Sequence, residues 1–95
     1  MQTELEELRN ELDDINTRLI LLLAERFKVT QKVGEYKRDN NLPAYDPTRE
    51  AAIADRVEQI AKDSGLDPET AKRIMQFITA EVVMKHQALQ DKASE

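Results

Sequence analysis

The stretch from Leu5 to Tyr36, LEELRNELDDINTRLILLLAERFKVTQKVGEY, decides how this chain folds. Apolar residues stand at Leu5, Leu8, Leu12, Ile15, Leu19, Leu22, Val29, Val33 and Tyr36, an alternation of three and four with one interruption, filled by Arg26. That spacing keeps a single apolar seam on one side of an α-helix. No proline interrupts it before Pro43, so the pattern predicts one helix over about 3–39. At 1.5 Å per residue, such a helix reaches on the order of 55 Å. A compact chain of this size has a radius of gyration of roughly 12 Å, so one copy cannot bury the seam. The expected architecture is all-α, a three-helix chain with one long N-terminal helix whose seam a second copy covers in a homodimer.

Beyond the seam, Asn40 to Tyr45 reads as a loop, because Asn-Asn followed by Leu-Pro disfavours helix there. Asp46-Pro47 then opens a second helix, with Asp46 as N-cap and Pro47 in the first helical position. It is expected over about 47–64, with Ile53, Val57, Ile60 and Ala61 as its apolar stripe and Gly65 as its stop. Asp67-Pro68 repeats the start signal for a third helix over about 68–90. There the stripe is Ile74, Met75, Ile78, Val82, His86 and Leu89, followed by a frayed polar tail. The whole chain, 1–95, reads as a single domain.

Composition agrees with helices and removes several chemistries. Of the 95 residues, 40% are hydrophobic and 35% charged, which suits an ordered soluble chain. Two Gly, three Pro, two Tyr, two Phe and no Trp leave little material for an all-β fold. The absence of Cys excludes disulfides, thiolate metal sites and cysteine nucleophiles, and the lone His86 excludes a multi-histidine metal centre, so no metal is expected. A net charge of −5 argues against nucleic acid as a partner. The apolar run Leu19 to Ala24 is too short to span a membrane. Six acids among the first twenty residues are unlike a secretory signal, and a cytoplasmic location is expected.

The inward-facing polar residues are where chemistry is expected. Arg26 takes a seam position, and burying a guanidinium without a partner is costly, so something anionic should meet it. Lys37 follows eleven residues later, only about 20° away around the helix and three turns along. Both side chains can lean toward one small ligand. Arg9 lies seventeen residues before Arg26, roughly 25 Å along the axis and about 100° off its face. It can reach the same ligand only from a second, antiparallel chain. Asp46 and Glu50 share one face at the start of the second helix, with Arg49 beside them, and their carboxylates can accept hydrogen bonds from hydroxyl groups. Together with His86, these groups suit a dicarboxylate ligand carrying a hydroxyl group. Simpler roles compete: an ion pair for Arg26, the helix dipole for Lys37 and Arg38, capping for Asp46, close helix approach for Gly34 and a solvated end for His86.

Leu8-Arg9, Ile15, the run Leu22-Leu23-Ala24-Glu25-Arg26, Val33-Gly34, Lys37, Asp46 and Arg49-Glu50 resemble, in order and spacing, the all-α chorismate mutases, chorismate mutase type II. The resemblance runs from about Leu5 to about Leu89 and implies an intertwined homodimer of three-helix chains. It implies an isomerase that converts chorismate to prephenate by a Claisen rearrangement, in the shikimate pathway to phenylalanine and tyrosine, with no cofactor. It further implies that Arg26 and the second chain's Arg9 bind the two carboxylates. Lys37 would donate to the ether oxygen and a carboxylate. Glu50 and the backbone around Asp46 would hold the ring hydroxyl, with Arg49 bracing the acids. In the third helix many members have a small hydroxyl residue where this chain has Val82, and Gln or Glu where it has His86. Val82 offers packing or its backbone, while His86 can still donate through a ring N–H. An isochorismate pyruvate lyase of the same fold is the alternative, and a noncatalytic dimeric helical adaptor a remote one, with no reason to place Arg26 in the seam. No regulatory partner enzyme is specified, and a separate regulatory domain is not expected within these 95 residues.

Overall fold

The computed structural model describes residues 3–94, which form α1 (Glu4–Asp39), α2 (Pro47–Ser64) and α3 (Pro68–Ala93), with no strand among the described residues. Each boundary follows from local chemistry. At the start of α1, Glu6 N donates to Thr3 Oγ1 at 3.1 Å and Thr3 N donates back to Glu6 Oε2 at 3.2 Å, a reciprocal capping box. At its end Asn41 enters the left-handed region, φ 54°, and Leu42 N donates to Lys37 O at 2.8 Å, which closes the helix with a Schellman turn. Asp46 and Asp67 cap α2 and α3 by accepting from Arg49 N and Thr70 N, each at 3.1 Å, with Pro47 and Pro68 next in line. Gly65, φ 77°, stops α2.

The third helix runs past the expected end near residue 90 to Ala93. Gln87 Nε2 donates to Asp91 Oδ1 at 2.9 Å, and Ser94 Oγ donates to Gln90 O at 3.0 Å, so the polar tail is tied into helix instead of fraying. Among the described residues no helix is long and apolar enough to cross a membrane.

Packing divides the chain into two units, Met1–Thr30 and Gln31–Glu95, with the division inside α1. In the first unit the seam is open: Leu8 is 50% and Leu12 55% exposed, and Leu5, Ile15, Leu19, Leu22 and Val29 are exposed as well. In the second unit α2 packs on α3. The buried apolar side chains there are small, Ala44, Ala61 and Ala71, and Thr79 joins them. Ile53, Val57, Met75, Ile78, Val82 and Leu89 are half-buried, as a stripe facing a thin core would be. Ile60 and Ile74 depart from the expected stripes and are exposed. Ala61 and Ala71 are buried instead, and the larger Ile60 and Ile74 are left outside.

Candidate active site

Six of the eight expected site residues, Lys37, Asp46, Arg49, Glu50, Val82 and His86, belong to the second unit; Arg9 and Arg26 belong to the first. In the second unit, the loop between α1 and α2 is held from two sides. Lys37 Nζ donates to the carbonyl of the buried Ala44 at 3.2 Å, and Gln90 Nε2, from α3, donates to Leu42 O at 2.6 Å. Lys37 is half-buried, and an ammonium has three donors, so two remain for other acceptors. Neighbouring Arg38 is engaged differently. Its Nε donates to Asp39 Oδ1 at 3.0 Å, and that hydrogen-bonded ion pair raises its pKa. The local excess of positive charge therefore falls mainly to Lys37.

Asp46 is in extended backbone, φ −126° and ψ 96°, and one carboxylate oxygen is committed to the Arg49 amide. Arg49 and Asp46 are exposed, whereas Glu50, one turn into α2, is half-buried. Glu50 borders a cavity of about 20 Å³ between α2 and α3, with Lys72 and Thr79 on the opposite wall. Burial alone would lower the Lys72 pKa, but carboxylates of Glu58 and Glu69, each 3.5 Å from Nζ, together outweigh it and the pKa is raised. That ammonium stays charged on the far side of the cavity from Glu50.

On α3, Val82 is half-buried and His86 is only 3% exposed, so the solvated-end reading of the histidine does not hold. Its ring lies against Gly34 of α1. Lys37 is one helical turn beyond Gly34, and Gln90 one turn beyond His86, so the loop straps and the imidazole occupy one region of this unit.

In the first unit Arg9 is exposed. Arg26 is half-buried, and its Nη1 is buried with no hydrogen-bond partner among the described residues. A guanidinium cannot shed its charge, so a buried N–H of this kind calls for an acceptor. Among the described residues no group of three or more His, Cys, Asp or Glu side chains could hold a metal ion. Gln90 was missed by the sequence reading because its partner is a loop carbonyl 48 residues away.

The chain is thus all-α, with the half-buried Lys37 and the buried His86 in its second unit and the half-buried Arg26 in its first. Comparisons with known proteins give the family. Residues 8–87 match the model of chorismate mutase type II. The chain is 32% identical to a chorismate mutase of Methanocaldococcus jannaschii over 78 residues, covering 82% of this chain and 79% of that protein. It is 39% identical over 70 residues to a bifunctional chorismate mutase/prephenate dehydratase of Aquifex aeolicus, covering 72% of this chain and 19% of that one. The corresponding bifunctional protein of Escherichia coli is 32% identical over 82 residues, covering 86% and 21%. The chain thus spans about a fifth of the bifunctional relatives' length and most of the M. jannaschii protein's. It belongs to the chorismate mutase type II family, and the isomerase activity that the resemblance implied is the one that family carries.

Proposed function

We propose that this protein rearranges chorismate to prephenate in the cytoplasm, as a single-domain homodimer whose two chains share each site. The observation that carries the proposal is the buried Nη1 of Arg26, unpartnered among the described residues, for which a substrate carboxylate is the fitting acceptor. The open seam of α1 supports the second chain, because exposed leucines repeated on one stripe are the surface a partner helix buries.

The rearrangement is concerted: the ether C–O bond breaks as the new C–C bond forms, and no proton, electron or leaving group is exchanged with the protein. Catalysis then rests on holding the compact pseudo-diaxial conformer and on stabilising negative charge that develops on the ether oxygen. Arg26 and the second chain's Arg9 bind the two carboxylates. Lys37, with two donors free after Ala44, serves the ether oxygen and a carboxylate. His86 donates to the ether oxygen through a ring N–H. Glu50 and the backbone at Asp46 hold the ring hydroxyl, Arg49 braces these acids, and Val82 packs against the substrate.

The test is to incubate the purified protein separately with chorismate and with isochorismate. Loss of chorismate absorbance with formation of prephenate is expected, with no salicylate from isochorismate. Salicylate as the main product would make the chain a lyase, and inertness toward both would make it a noncatalytic helical protein.

A further inference from the structure

We infer that Gly34 is a positioning residue, whose missing side chain leaves the space in which the His86 imidazole is held. A Cβ built at Gly34 would lie 2.5 Å from His86 Cδ2, 2.9 Å from His86 Nε2 and 3.0 Å from Leu89 Cδ1. No conformational need explains this glycine. It lies inside α1, and Gly65 is the glycine with positive φ. Within a helix, glycine is less favourable than alanine, so the position carries a cost that only space can justify. The space is filled by the edge of the imidazole ring, including one of its two nitrogens. The Leu89 methyl is the end of a flexible side chain and can move aside. The ring is 3% exposed and turns about only two torsions, so it cannot move aside without reaiming both nitrogens.

This inference rests on the reading of His86 as a donor to the ether oxygen. For a donor, direction is everything: a preorganised N–H helps only when it points to where charge develops. Gly34 also stands one turn before Lys37, so a single stretch of α1 both carries one donor and seats the other.

The test combines kinetics with a signal independent of activity. The chain has one histidine, so an untagged protein gives one imidazole spin system by NMR. Gly34→Ala is expected to move that signal and to lower kcat by about 10²–10³, the loss of one aimed donor, with a smaller change in KM. In a His86→Ala background, Gly34→Ala should cost less than about threefold, since the group it displaces is gone. Leu89→Ala should not restore the Gly34→Ala variant. An unmoved imidazole signal, or an equal loss in the His86→Ala background, overturns the inference. If Gly34→Ala does not fold, the double variant Gly34→Ala/His86→Ala should fold, and its failure to do so also overturns it. Should the wild type leave chorismate untouched, the mutase reading fails, while the imidazole shift still reports whether Gly34 seats the ring.

Discussion

Lys37 and Gln90 each tie the α1–α2 loop through one hydrogen bond to a backbone carbonyl, yet only Lys37 is assigned to the reaction. This pair separates a strap from a catalyst. A neutral amide bond such as that of Gln90 contributes roughly 0.5–1.5 kcal/mol, and a charged donor nominally 1.5–3 kcal/mol. Lys37 is half-exposed, which brings its contribution down toward the neutral value, about 1 kcal/mol. Lys37→Met and Gln90→Leu should therefore each lower Tm by about 4–8 °C, as 1 kcal/mol does in a domain of this size. Their activities should part. Losing a strap of about 1 kcal/mol can lower the rate by no more than about fivefold. Losing the donor to the ether oxygen lowers it by about 10²–10³. Initial rates of chorismate consumption, with melting followed by circular dichroism, measure both. If Lys37→Met loses no more activity than Gln90→Leu, the lysine is a strap and the catalytic assignment is wrong.

Replacing His86 with Ala should lower kcat/KM by about 10²–10³, while His86→Gln, which keeps a donor, should retain most activity; a loss within about threefold for His86→Ala would make the imidazole a bystander. Asp67 accepts from the Thr70 hydroxyl at 2.7 Å and the Thr70 amide, and these bonds hold its pKa below the ordinary carboxylate value. A depressed folded pKa adds stability above the usual carboxylate range, near 4, that is lost as pH falls through the folded value. The Tm advantage of wild type over Asp67→Asn should therefore shrink between about pH 6 and pH 3, and a constant gap would contradict the assignment. Sedimentation at micromolar concentration should give twice the chain mass, and a folded, active monomer would overturn the shared site.

The helices were legible in the sequence because their signals are local. Asp-Pro at 46–47 and 67–68 and the glycine at 65 act on the nearest turn of backbone, and the structure places boundaries where those residues stand. The interruption of the seam at Arg26 was legible for the same reason, since one charged residue on an apolar line is a contradiction that the fold must resolve. Burial in the second unit was less legible. Ala61 and Ala71 have side chains too small to stand out in a hydrophobic pattern, while Ile60 and Ile74 stand out and are exposed. Which edge of a stripe faces inward depends on how closely two helices approach, and small residues decide that. The end of α3 was misjudged because Gln87–Asp91 and Ser94–Gln90 bonds support helix without any apolar signal. The loop straps at Ala44 and Leu42, and the imidazole against Gly34, depend on the path of the chain and could not be read from spacing.

A site shared between chains is the centre of this account, and mixing two inactive variants tests it most directly. Arg9→Ala and Lys37→Ala should each be nearly inactive, because every site in either homodimer lacks one group. After subunit exchange at equal amounts, about half the dimers are mixed, and each holds one site with both defects and one with neither. Activity should then return to about one quarter of the wild-type level. If the exchanged mixture stays as inactive as its parents, Arg9 and Lys37 do not serve one site from different chains.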